Sequence, residues 1–168
     1  MKFIIIIKNN NTYHLIRGGF YYSKIKVMKS RIPFRIGYQY DNWELNLISI
    51  ADTISKNGSY CSYLWVGSTI KKFLNFTPHR TELIFYWDRL EVVILEFDRK
   101  SEHYYNRMNK ALSEKFNDFT SENLPDGTII YKFNHKKVSY WNIYYAPAKA
   151  IKLIYFSNQF LYVHQILE

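Results

Sequence analysis

Five histidines, one cysteine and 14 acidic residues are the side chains with which this chain could do acid–base, nucleophilic or metal chemistry. His14, His79, His103, His135 and His164 never stand four residues apart. None lies at ligand spacing from Cys61, so no metal centre is expected. A single cysteine also excludes an internal disulfide framework. Gly18-Gly19 lacks the following Lys-Ser/Thr that a phosphate-cradling loop requires. Asp88, Glu91, Glu96 and Asp98 stand near turns, where solvated surface charge is the default, and paired-carboxylate catalysis is not expected. The residues therefore read as those of a non-enzymatic protein without cofactor or metal.

Charge is more informative. The formal net charge is +9, but it is unevenly placed. Lys2, Lys8, Arg17, Lys24, Lys26, Lys29, Arg31 and Arg35 fall within the first 40 residues, and the first acid is Asp41. Beyond residue 40 there are 15 basic and 14 acidic residues. A basic arm on a nearly neutral domain suits a polyanion, because neutralising phosphates releases counterions and gives affinity without reading sequence. The expected RNA contacts are Arg17, Lys24, Lys26, Lys29, Arg31 and Arg35. Trp43 and Tyr38 either stack on a base or pack their loop onto the domain.

These residues must be carried by elements. Lys2 to Lys8 and Thr12 to Arg17, flanking Asn9-Asn10-Asn11, read as a hairpin. Tyr21 to Met28 alternates basic and apolar residues as an extended arm would. Leu47, Ile50, Ala51 and Ile54 repeat at helical spacing, and Ile70, Phe73 and Leu74 suggest a short helix ended by Pro78. Thr81 to Trp87 and Leu90 to Phe97 read as a hairpin about Asp88-Arg89. Glu102 to Phe116 reads as a helix capped by Ser101. Thr128 to Phe133 and Val138 to Tyr145 read as strands around Lys136-Lys137, and Ala148 to Leu167 as a final helix. The resulting order, α-β-β-α-β-(β)-α, predicts an α+β sandwich.

Length and composition bound the partners. A chain of 168 residues, 48% of them hydrophobic, can bury a core as one domain with an extension. The apolar run Phe3 to Ile7 and every later stretch fall short of the ~18 apolar residues a membrane helix needs, so no membrane partner is expected. Ile, Tyr, Lys, Asn and Phe supply 78 residues, whereas Gly, Ala, Pro and Arg supply 22. That bias points to an A/T-rich genome such as an organelle's, a phage's or a low-GC bacterium's.

Two segments resemble a known family. Ile32-Pro33-Phe34-Arg35-Ile36-Gly37, followed by Trp43, is similar to the N-terminal signature of small-subunit ribosomal protein three, the universal KH-domain protein. Ala146-Pro147 to Gln165, with Ala150, Ile154, Gln159 and Phe160, resembles that family's linker helix into a second domain. Ile70-Lys71-Lys72-Phe73-Leu74 looks like its basic-apolar helix before the first KH strand. The resemblance covers roughly residues 28–168. It implies a type II KH-like α-β-β-α-β sandwich over 61–146, after a basic extended or hairpin extension (1–29) and a loop and helix (30–60). It also implies a helix (147–168) beginning a second domain that a separate chain completes, with Ile151, Ile154, Tyr155, Phe160, Leu161 and Leu167 at that partner interface. The expected setting is the mitochondrial ribosome in the matrix, encoded in the organelle, with rRNA and neighbouring small-subunit ribosomal proteins as partners. Asp98-Arg99-Lys100-Ser101 stands where the KH glycine loop belongs and has no glycine, which favours a protein-binding scaffold over a single-strand clamp. A second, fainter resemblance links Gly58-Ser59-Tyr60 and Tyr63 to Ser68 with the GIY-YIG nuclease signature, at a spacing too tight for two strands. Alternative classes are a phage or plasmid nucleic-acid-binding or defence-inhibiting protein, and an accessory subunit of a respiratory complex.

Overall fold

The computed structural model describes residues 5–9, 12–17, 20–21, 25–26, 32–55, 58–68, 72–98, 101–116 and 118–160. The chain divides into two units, Met1–Arg31 and Ile32–Glu168. In the first, β1 (Ile5–Asn9) and β2 (Thr12–Arg17) form an antiparallel hairpin in which Ile5 faces Ile16. Two short strands, β3 (Phe20–Tyr21) and β4 (Ile25–Lys26), also pair with β2.

The second unit is built on a long antiparallel sheet. Its strands are β5 (Leu47–Ser55), β6 (Gly58–Trp65), β7 (Arg80–Tyr86), β8 (Arg89–Phe97), β9 (Phe119–Asn123), β10 (Ile129–His135), β11 (Val138–Tyr145) and β12 (Ala150–Ser157). They lie in the order β5-β6-β7-β8-β12-β11-β10-β9. The last strand in sequence therefore sits at the centre, between β8 and β11. In β8, Val92, Val93, Ile94 and Leu95 are all buried, and in β12 so are Ile151 and Leu153 to Phe156. Consecutive buried apolar residues mark strands covered on both faces.

One face carries Leu83, Phe85, Val93, Leu95, Phe133, Tyr140, Leu153 and Tyr155. The other carries Ile84, Val92, Ile94, Ile130, Ile143, Ile154 and Phe156, with Phe160 packed among them. On the first face lies α1 (Glu102–Ser113). Its Ser101 cap accepts from the Tyr104 N–H at 3.2 Å, and Tyr105, Met108 and Leu112 supply the buried stripe. The Tyr105 hydroxyl lies 3.1 Å from both the Ile129 and the Asn142 carbonyl oxygens, tying the helix to β10 and β11. The same face is closed by the segment 32–46, with Phe34 buried, and by the turn Phe73–Phe76.

The expected KH-like sandwich is therefore corrected to a mostly β architecture, with α1 the one α-helix among the described residues. Three sequence-based helices account for the difference. Leu47, Ile50, Ala51 and Ile54 lie in β5, whose register slips by one residue between Ser49 and Ala51. An extra residue in a strand converts a spacing of two into three and imitates a helical repeat. Phe73 to Phe76 form a tight turn with Leu74 and Asn75 both at positive φ, 45° and 72°, and this turn buries Phe73, Leu74 and Phe76 together. Ala148 to Leu167, expected as a helix, contains β12; its apolar run Leu153 to Phe156 reflects burial on two faces, which periodicity cannot separate from a buried helix. The Gly58 to Trp65 stretch is one continuous strand, so the two halves of a nuclease signature have no separate strands to occupy.

Candidate functional site

The sheet positions a cleft of about 520 Å³ beside its centre, lined by Ile32, Phe34, Arg35, Ile36, His135, Lys136, Lys137, Val138, Tyr140 and Tyr155. Three elements converge there. The segment 32–36 enters from one side, the β10–β11 hairpin from the other, and β12 supplies the floor through Tyr155. His135 ends β10, and Lys136-Lys137 form the turn, with Lys136 at φ 57°. Asn158, just past β12, donates its backbone N–H to the Lys137 carbonyl at 3.0 Å and so holds the turn against the end of β12.

The floor is aromatic and locked. Tyr155 and Phe34 are buried, and the Tyr155 hydroxyl donates to the Phe34 carbonyl at 3.1 Å while receiving the Phe34 N–H at 3.3 Å. This pair of bonds crosses 121 residues of sequence and fixes the bend that carries Arg35. Burial raises the Tyr155 phenol well above its usual range, with the bond to Phe34 opposing. Tyr140 stacks on Phe116 with ring centroids 4.2 Å apart, and burial pushes its phenol up to about 12. Tyr140 is only 4% exposed and lines the cleft. A tyrosine hydroxyl on a cleft floor can donate to or accept from a polar atom of a ligand.

The rim is cationic. Arg35, Lys136 and Lys137, with His135, face the opening, and no acidic side chain lines it among the described residues. Arg35 donates to the Tyr38 hydroxyl at 3.3 Å and lies 5.5 Å from the centroid of that ring. Tyr38 in turn stacks on Trp43 at 5.8 Å, and Trp43 meets Phe34 edge-on at 5.8 Å. Of the two roles open to Trp43 from sequence, packing is what the geometry has: the ring is half-buried against Phe34, Tyr38 and Phe85. A site with an apolar aromatic body and a cation-only rim can hold an anion whose remainder is flat or apolar.

Of the residues singled out in sequence, Arg35 is brought to the cleft rim and Trp43 stands behind it. Arg17 and Lys26 lie in β2 and β4, and the calls on the Arg17 and Lys26 side chains, and on Lys24, Lys29 and Arg31, fall outside the described residues. Ile151, Ile154, Tyr155 and Phe160 are buried within this chain's own core, on a strand or just after it, and form no exposed helical face. Leu161 and Leu167 lie outside the described residues. Sequence reasoning missed His135 and Tyr140 as site residues, placed Tyr155 at a partner-chain interface, and treated Lys136-Lys137 only as a turn. The signal available was a histidine and two lysines gathered at a hairpin tip.

No family model, no curated protein and no solved structure matches this chain.

Proposed function

We propose that this protein binds RNA, with the cleft taking successive backbone phosphates at its cationic rim and an unstacked base against its aromatic floor. The observation that carries this reading is the union of Arg35, His135, Lys136 and Lys137 with Tyr140 and Phe34 in one opening that no described acid shares. Single-stranded nucleic acid is held by this pairing of cations along the backbone with aromatic surfaces for the bases. The acid-free stretch of 40 residues at the start of the sequence adds a second, sequence-independent source of affinity. A ribonucleoprotein particle is the setting that fits such a binder, and a place in a mitochondrial small ribosomal subunit is the assembly proposed from the sequence segments alone.

The test is the salt dependence of binding to a short single-stranded RNA. Replacing Arg35, Lys136 and Lys137 by alanine should lower the slope of log affinity against log salt by about 2, at about 0.7 for each lost phosphate contact. A slope unchanged by the triple replacement refutes the cleft as the phosphate site. A parallel variant with Lys24, Lys26 and Lys29 replaced reports the share carried by the first unit.

A further inference from the structure

A second hollow has the opposite polarity. It measures about 260 Å³ and is walled by Tyr40, Cys61, Tyr63, Phe85 and Trp87 with the carboxylate-bearing Asp88. Tyr40, Tyr63 and Phe85 form a continuous aromatic floor, their centroids 5.1 to 5.7 Å apart and each tyrosine steeply inclined to Phe85. No lysine or arginine lines the hollow among the described residues, and the neighbouring cation Arg89 is paired with Glu91 at 3.9 Å. The frame is firm. The Asp88 carbonyl accepts the Tyr40 N–H at 2.8 Å, and Leu90 and Tyr38 are joined by a backbone bond of 2.9 Å. The segment 37–40 is thereby strapped along the β7–β8 hairpin that supplies the rest of the wall.

The hairpin tip is unusual for its local energetics. Trp87 and Asp88 form a two-residue turn with φ of 49° and 57°. Such turns favour Asn-Gly, because a bulky side chain in the left-handed region is disfavoured. The Trp87 ring is also 78% exposed, so neither the backbone nor burial favours tryptophan at this place. A strained residue held at the mouth of a shaped hollow points to a function for its side chain.

We infer that this hollow is a binding site for a quaternary ammonium group, held by cation–π attraction to Trp87 and the tyrosine floor and by the charge of Asp88. Aromatic faces beside a carboxylate select a diffuse cation that carries no hydrogen-bond donor. The volume is just below the roughly 300–1,000 Å³ of ordinary small-molecule pockets, which suits a trimethylated head with its stem leaving to solvent. The site is separate from the RNA cleft and does not depend on it.

The test is calorimetric titration of the full chain with choline, with free trimethyl-lysine and with the uncharged tert-butyl isostere of choline. Both cations should bind saturably and at least tenfold more tightly than the isostere; the tighter of the two identifies the source as a choline headgroup or a methylated side chain. Trp87→Asn should lose at least tenfold in affinity while melting no lower than the parent, since asparagine relieves the turn. Asp88→Asn should lose affinity for the cations and leave the isostere unchanged. Equal binding of cation and isostere, retained binding in Trp87→Asn, or no saturable binding of either cation would overturn the assignment.

Discussion

Removing one oxygen atom from the core should both destabilise the protein and loosen the RNA cleft. In Tyr155→Phe the ring is kept, so its stacking on Phe73 at 5.7 Å and Tyr140 at 5.5 Å is preserved. What is lost is the hydroxyl that satisfies both the N–H and the C=O of Phe34, a residue 1% exposed. Each net hydrogen bond is worth about 1 kcal/mol, and a buried group left without a partner costs about 1–3 kcal/mol. Water entering from the adjoining cleft offsets part of that, so the expected loss is about 2 kcal/mol. For a chain of this size that corresponds to a fall in Tm of about 4–8 °C. The released segment carries Arg35, so one phosphate contact should go with it, lowering the RNA salt slope by about 0.7. Urea denaturation with an unchanged m-value, together with the binding titration, measures both effects. A Tyr155→Phe protein within about 0.5 kcal/mol of the parent, the scatter of ordinary neutral substitutions, would refute the clamp.

Beneath α1, the Asn142 side-chain amide donates to Asn109 Oδ1 at 2.6 Å, while among the described residues Asn109 Nδ2 and Asn142 Oδ1 are buried without partners. Asn142→Leu alone should cost about 1–3 kcal/mol by stranding Asn109, whereas Asn109→Leu with Asn142→Leu should recover most of that, as read by a double-mutant cycle in urea. A double variant less stable than the sum of the singles would contradict this. Alkaline pH should destabilise the fold: Tyr140 and Tyr155 hold their protons to higher pH folded than unfolded, so their contribution is complete below pH ~10 and declines as pH rises. For Tyr140, at about 12 folded, the decline runs to about pH 12, and Tyr140→Phe should flatten it in denaturant melts at stepped pH.

Where local signals were unambiguous, the sequence was legible. Ser101 with Tyr105, Met108 and Leu112 at spacings of three and four marks α1, and the runs on either side of the asparagines mark the paired strands β1 and β2. The β7–β8 hairpin was displaced by one residue. Asp88-Arg89 looks the better turn by residue preference, yet Arg89 pairs with Tyr86 and forces Trp87-Asp88 into the bend. The site was legible only at Arg35, through charge. Tyr155 was assigned to a partner interface once the run Ala148 to Leu167 was read as a helix, because its place at the centre of the sheet comes from pairing with residues about 60 and 15 positions earlier, Val93 and Tyr140. Burial on both faces erases the alternation that identifies a strand, and a bulge erased it in β5.

The most direct test of the cleft as an RNA site is photocrosslinking of a 4-thiouridine-bearing single-stranded RNA to the intact protein, with the attached peptides sequenced by mass spectrometry. The account expects the label on the β10–β11 hairpin peptide containing His135, Lys136, Lys137 and Tyr140, and on the peptide containing Phe34 and Arg35, with both lost when Arg35, Lys136 and Lys137 are replaced by alanine. Crosslinks confined to other parts of the chain, and unchanged by that replacement, would contradict it.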